Sequence, residues 1–460
     1  MRLYARSILL ALLCMASLSV SASDEPVWLP LHFETPIPQR PTGGRELHVS
    51  PQGHDGGDGS AAKPWKTLAH AVAQLKAGDT LTLAAGQYKE NVTLKASGTE
   101  KAWIVIRSAP GAQAVICGDD GIVLTLEPGV AFVRLENLEI ASGSHGLRCN
   151  NSKAPANAPV RDLDVIGCYF HDLRGVGVKL YRVERALVHS CRFTKIPDGG
   201  AGFGTGDGGA KDVKVVNCKS WNHNDGQGAA GDSDGFHAEG GAGFLFEACE
   251  VRDVTEDGID CKGGNVAIRN CRVVRAHNGF KLWTAPIRVE NCVVQDVAEN
   301  ALKLAAEAGR ADEIRVRSST FVNAGDILAV FSIKGPVGRL SIRDCILAGG
   351  RKALIGTWKD GVSLELDADH NVYADSPLLL ATSKQKFAPA AWDEFAKATG
   401  GQAHARYVAS MDELKLEKLA EGQPAPAAGS PAFEAGDPAQ AAPADPLGRP
   451  RGKKPNIGAY

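Results

Sequence analysis

Nine short runs rich in β-branched residues recur between Ala102 and Tyr373, and their spacing constrains this chain more than any other feature. They read VRLENLEI, VRDLDVIGCYF, ALVHSCRF, VKVVNCKS, FLFEACEV, VAIRNCRV, IRVENCVV, IRVRSSTFV and LSIRDCIL, with a period of about 21 to 31 residues. Self-similarity at such a period is the mark of a solenoid. Each unit holds too few apolar residues to bury a core alone, so stacking must create it. No amphipathic helices separate the runs, which favours a right-handed parallel β-helix over a βα-barrel or a leucine-rich horseshoe. The expected fold is therefore all-β, a right-handed parallel β-helix with an N-terminal capping helix and an irregular C-terminal tail.

The same phrase carries most of the cysteines. Cys168, Cys191, Cys218, Cys249, Cys271, Cys292 and Cys345 follow one another at spacings of 23, 27, 31, 22, 21 and 53 residues, and Ser319 fills the slot within the last interval. Side chains stacked in one column point the same way, which is poor geometry for disulfides. The expectation is a ladder of buried free thiols acting as small hydrophobes. Asn217, Asn270 and Asn291 hold the preceding position and are expected to form an amide ladder at a bend.

The chain has 460 residues, enough for one large core or two domains. Arg2 and Arg6, the apolar run from Ile8 to Val20 and the small residues Ser21 and Ala22 read as a secretory signal over residues 1–22. Its removal leaves 49 basic residues against 53 acidic ones, a formal charge of −4, and ten cysteines. That balance provides no global field for nucleic acid or an anionic membrane, and no later apolar run is long enough to span a bilayer. The expected location is periplasmic or extracellular, and the expected state a monomer. Residues 23–46 are proline-rich and read as extended. The solenoid is assigned to 47–375, opening with a short amphipathic helix from Lys66 to Lys76 that presents Leu68, Val72 and Leu75 on one face. Residues 376–460 read as a tail with short helices at Ala391–Ala398 and Met411–Ala420 and an irregular stretch at Pro424–Pro446.

Glycine-rich insertions at Pro197–Gly209 and Asn222–Gly231 precede the phrases GDSDGFHAEGG, TEDGIDCKGG and RAHNGFKLW. Aligned on Gly235, Gly258 and Gly279, these place Asp234, Asp257 and Asn278 in one column and His237, Asp260 and Lys281 in another. Neighbours in a column of stacked strands stand about 4.8 Å apart. Asp234, Glu256, Asp257 and Asp260 then crowd round one point, an unfavourable arrangement unless a cation sits among them. Calcium accepts about six to eight oxygen ligands in irregular geometry, and these four can supply the protein's share. Asp232 is a further candidate from the inserted loop.

Lys281 stands one rung beyond Asp260. Beside a divalent cation its charged form is disfavoured, and a neutral lysine is a general base. A uronic acid carries a weakly acidic C5 proton next to its carboxylate, so a base and a calcium ion together suit β-elimination from an acidic polysaccharide. Lys303 extends the column as a substrate contact or a surface lysine. His237 begins it as a contact or a wall residue. Arg275 and Trp283, with Trp221, His277 and Lys262, can touch sugar or simply pack. A glycoside hydrolase, a uronate C5-epimerase and a non-catalytic glycan-binding solenoid remain alternatives.

DGF at Asp234, EDGID at Glu256–Asp260 and NGFK at Asn278–Lys281 resemble the calcium-binding and catalytic phrases of family 9 polysaccharide lyases, the β-helical pectate lyases. SPQGHDGGDGSAAKPWKTLAHAVAQLKAGDTL resembles their opening segment. The resemblance implies that Asp234, Glu256, Asp257 and Asp260 bind Ca2+ and that Lys281 is the Brønsted base. Those sites commonly carry aspartate in place of Glu256 and glycine in place of Trp283, so the resemblance implies a different sugar subsite here.

Overall fold

The structure, a computed structural model, describes residues 25–149, 157–204, 209–224, 233–306, 314–332, 339–357, 365–382, 385–399, 402–419 and 422–460. The signal sequence, Asp232 and most of the second insertion lie outside the described residues.

Each central coil contributes three strands. One coil supplies Gly241–Glu247, Glu250–Val254 and Ile259–Cys261, and the next supplies Gly264–Arg269, Arg272–Val274 and Phe280–Leu282. Stacked in register, they form a long-strand sheet, a middle sheet and a third sheet, here the site sheet, all with parallel neighbours. Among the described residues the long-strand sheet has 13 strands, from Glu46–Val49 to Glu365–Asp369. Coiling thus starts well before the first recognisable repeat at Ala102. This is a right-handed parallel β-helix. Alternate residues of each strand point inward, and the interior stacks like on like. Phe170 and Phe193 lie parallel with ring centroids 5.1 Å apart, and Phe193 meets Phe236 edge-on at 5.9 Å. Such pairs add about 0.5–1.5 kcal/mol beyond the area they bury.

The thiol column forms as the repeat suggests. All ten cysteines among the described residues are buried and free. Their sulfurs meet backbone carbonyls, as Cys191 Sγ does at Val165 O, 3.3 Å away. Ser319 holds its rung with its hydroxyl donating to Arg317 O and accepting from Cys292 N. One rung beyond Cys345, Asn371 occupies the same column and accepts from Cys345 N.

The asparagines do not form an amide ladder. Their column is a left-handed bend shared with other residues: φ is 55° at Ser190, 51° at Asn217, 54° at Ala248, 55° at Asn270, 54° at Asn291 and 52° at His370. Asparagine tolerates that conformation because its short polar side chain bonds locally. The amides then reach in different directions, Asn217 to Ser190 Oγ, Asn270 to His32 O and Asn291 to Ala444 O. The last two dock the chain's tails.

Both tails lie along the coils. Running back from Trp28, the N-terminal segment places Leu29 N on Glu250, Glu34 N on Glu247, and Arg40 on Asp164 in a bidentate pair at 2.7 and 2.9 Å. The C-terminal segment sets Ala459 N on Thr320 Oγ1 and meets the N-terminal one where His32 N donates to Pro446 O at 2.7 Å.

The N-terminal helix spans Leu68–Ala73, shorter at both ends than the apolar pattern suggests. Thr67 caps it, and the Glu90 carboxylate takes Leu68 N and Ala69 N at 2.8 Å each, which satisfies first-turn amides that the helix leaves unpaired. Leu68, Val72 and Leu75 are buried against the first coil. At the far end Trp392–Ala398 is helical, with Phe395 buried against Tyr373. The second expected helix is only Met411–Leu414, because Lys415 turns left-handed at φ 49°. Leu416–Lys418 instead pairs antiparallel with Pro424–Pro426, so the start of the expected irregular stretch is a strand.

Candidate active site

The site sheet exposes one residue per short strand, and pairing fixes which residues share that column. Arg148, Lys179, Gly202, His237, Asp260, Lys281 and Lys303 are successive partners. Two residues before the paired Phe236, Ile259, Phe280 and Leu302, Asp234, Asp257, Asn278 and Asn300 follow one another where the chain enters the sheet.

That turn is tightly organised. Asp234 Oδ1 accepts from Asp257 N at 2.9 Å, Asp257 Oδ1 accepts from Asn278 Nδ2 at 2.6 Å, and Asn278 Oδ1 accepts from Asn300 Nδ2 at 2.7 Å. Asp234, Asp257, Asn278 and Asn300 are all buried. Carboxylate oxygens of Asp234, Glu256 and Asp257 lie within 4.8 Å of one another. Burial, reinforced by the charges of Asp257 and Asp260, pushes the Asp234 carboxyl well above its ordinary range. Calcium–oxygen distances of about 2.3–2.6 Å allow ligands on one ion to stand up to ~5 Å apart, so the trio fits a calcium ion. No imidazole or thiol belongs to it, which disfavours zinc.

Asp260 stands apart from this trio. Its Oδ2 lies 2.9 Å from Lys281 Nζ and its Oδ1 accepts from Trp283 Nε1 at 2.9 Å. Lys281 also donates to Asp257 Oδ2 at 2.8 Å, so its ammonium bridges the two aspartates with 21% of its side chain exposed. Burial opposes that charge, but Asp257 and Asp260 outweigh it and raise the Lys281 pKa. The fall expected beside a cation is thus not what the carboxylates alone produce.

His237 is buried, and its Nε2 lies 2.9 Å from Lys179 Nζ while its Nδ1 faces Asp234 Oδ2 at 3.9 Å. Burial and then the charges of Lys179 and Lys262 hold its pKa well below the ordinary value, which suits Nε2 accepting a hydrogen bond from the Lys179 ammonium. Gly202 makes room for it: a Cβ there would stand 2.2 Å from Nε2. Lys262 pairs with Glu239 at 2.7 Å.

The other candidates separate. Arg275 is held bidentately by Asp253 at 2.6 and 2.8 Å and lines, with Thr255, His277, Asp296 and Arg351, a cleft of about 530 Å³ beside the Glu256 turn. Trp221 is buried between Trp28 and Tyr169 and is a packing residue. Lys303 continues the column after Lys281. Sequence reasoning missed Lys179, Asn300 and Arg148. GVKL at Gly177 repeats the GFKL of Gly279, which identifies Lys179, and carrying the column one repeat past Asn278 reaches Asn300. GLRC at Gly146 has the same order of glycine, apolar, basic and apolar residues and identifies Arg148.

The fold is thus a parallel β-helix that gathers three carboxylates beside a lysine on one sheet. The chain belongs to the family of Pel9A-like right-handed β-helix regions, which matches residues 47–291. Over 76 residues it is 40% identical to the uncharacterized protein YwoF of Bacillus subtilis (strain 168), 16% of either chain. It is 34% identical over 77 residues to pectate lyase PEL9 of Emericella nidulans, 16% of this chain and 19% of that one. The matched stretches therefore span under a fifth of these relatives' length. The structure of XylC with xylose superposes with a TM-score of 0.59 at 10% identity, covering 82% of this chain and 88% of that one, a likeness of fold.

Proposed function

We propose that this protein is an exported, calcium-dependent lyase that cleaves a uronate-containing polysaccharide by β-elimination, with Lys281 as the general base. The observation that carries this reading is the site-sheet column, where Lys281 Nζ touches Asp257 and Asp260. Two pairs of cations flank the cluster, Arg148 with Lys179 on one side and Lys281 with Lys303 on the other, neighbours in each pair about 4.8 Å apart, which suits a polymer that carries negative charge.

Asp234, Glu256 and Asp257 would hold calcium, with Asp260 at its margin, and the ion would supply Lewis-acid neutralisation of a uronate carboxylate. Calcium held there would offset the Asp257 charge beside Lys281 and leave Asp260 as its carboxylate partner, so burial would weigh more heavily toward the amine. Lys281 Nζ then takes the C5 proton. The C5–H electron pair forms the C4–C5 double bond, and the C4–O bond breaks with its pair leaving on the departing sugar, which is protonated by solvent. Trp283 orients Asp260, and Asn278 orients Asp257. The relative described as a pectate lyase supports the reaction class, while Trp283 beside the base supports a sugar subsite with an aromatic wall.

Incubation with a panel of uronate polymers, followed by the ultraviolet absorbance of unsaturated ends, tests this directly. Calcium-dependent absorbance that chelator abolishes is expected. New reducing ends without absorbance would replace the lyase with a hydrolase, and altered sugar composition without cleavage would replace it with an epimerase.

A further inference from the structure

A second cluster of ligand atoms lies at the other end of the solenoid, independent of the site above. Asp369 closes the final strand of the long-strand sheet, His370 follows at the bend, and His404 comes from the turn after the C-terminal helix. Consecutive strand residues point to opposite faces, yet here the left-handed backbone of His370, φ 52°, lets both neighbours reach one point. Asp369 Oδ2 stands 2.9 Å from His404 Nδ1 and 3.6 Å from His370 Nδ1. The imidazole rings stack at 4.4 Å.

We propose that Asp369, His370 and His404 form a zinc-type transition-metal site that fastens the C-terminal cap to the last coil. Ligand atoms about 2.0–2.1 Å from a tetrahedral zinc stand ~3.3 Å from one another, and the two measured separations bracket that value. Asp369 is already oriented for the role: its Oδ1 accepts from His370 N at 2.9 Å and from His404 N at 2.8 Å, which aims Oδ2 at the rings. Fixing a ligand through its second oxygen is how proteins commonly tune metal sites. The metal replaces the Nδ1 proton that His404 now shares with Asp369, and the fourth position goes to water. Two imidazoles exclude calcium, which takes oxygen, so the protein would address two classes of cation at two places. The cap so fastened includes Trp392–Ala398, whose Phe395 closes the open end of the core.

The full-length protein, stripped with chelator, is titrated with zinc alone against a chromogenic competitor. One equivalent is expected to bind, with affinity reduced at least ~10-fold in His404→Ala and in His370→Ala, since loss of a mere orienting partner already costs about 10–100-fold. Exposed His404 can be removed without disturbing the core, so circular dichroism of H404A in chelator should match the parent. Hydrogen exchange over residues 386–408 is expected to slow on adding zinc in the parent and not in H404A. Zinc binding unchanged in both variants, or no zinc bound by the parent, would overturn the site and leave a stacked histidine pair sharing one carboxylate.

Discussion

Two sheets of this solenoid carry a tight cluster of opposite charges, a carboxylate ringed by cations on the middle sheet and a lysine held by two aspartates on the site sheet, and the chain's tails cover the first. On the middle sheet Glu250 meets Arg272 at 2.9 Å, Arg252 Nε at 2.7 Å and Lys219 at 3.9 Å. Trp28 lies over Arg252 and Lys219, Leu29 N donates to the same carboxylate, and buried Tyr460 borders it. On the site sheet Asp257 and Asp260 grip Lys281, but among the described residues no tail crosses them, and Lys281 keeps a fifth of its side chain in solvent. The building rule is the same in both: outward side chains of neighbouring rungs set opposite charges against each other at the cluster. What differs is whether the chain covers the column with its own ends. A covered column holds the fold together, and an uncovered one can receive a ligand.

The sharpest way to break this contrast is to delete the central charge on each side, the lysine of the site sheet and the carboxylate of the middle one. Lys281→Ala is expected to cut kcat/KM by about 10²–10⁴-fold, the usual contribution of a general base, while the melting temperature falls little. Glu250→Gln is expected to do the reverse. It leaves buried cations without their partner and should cost about 3–5 kcal/mol in denaturant unfolding, with activity per folded molecule retained. A Glu250→Gln protein as stable as the parent would show that the tails, and not the charge, hold that sheet.

A smaller effect comes from His171, which is fully buried between Glu139 at 3.0 Å and Asp172 at 2.7 Å. Burial works against its charge, but the two carboxylates prevail and raise its pKa. The folded state therefore binds this proton more tightly than the unfolded chain. The resulting stability is complete below the ordinary histidine value of about 6.5 and is lost as pH climbs through the raised folded value. His171→Gln should flatten the decline in melting temperature across that interval. Smallest of all, Trp283→Phe removes the indole donor from Asp260 and is expected to cost about 1 kcal/mol, read as a several-fold fall in kcat/KM with unchanged calcium affinity.

The solenoid was legible because stacking repeats one environment many times, so the cysteine column and the register of Gly235, Gly258 and Gly279 are written as a period. The columns of Asp257 and Lys281 could be read for the same reason. How partners divide within the cluster could not. Column alignment treats Asp260 as one more ligand beside Asp257, whereas Lys281 and Trp283 draw it away, a matter of side-chain direction that spacing does not encode. The asparagines misled for a related reason. Their shared position reports a backbone need for left-handed φ, and each amide then bonds whatever lies nearby, which for Asn270 and Asn291 is a tail more than a hundred residues distant in sequence.

The N-terminal segment acts as a ruler. Between Leu29 and Arg40 it touches Glu250 and Glu247 on one coil and then His189 and Asp164 on two earlier coils, each contact specific to its rung. Repeat arrays ordinarily gain or lose whole units by duplication and deletion, because each unit answers only to its neighbours. Here an added or missing coil between Asp164 and Glu250 would throw every later contact out of step with a strap of fixed length. The strap thus turns an architecture of open-ended length into one with a set number of coils, and so fixes how far the lysine lies from the capped end.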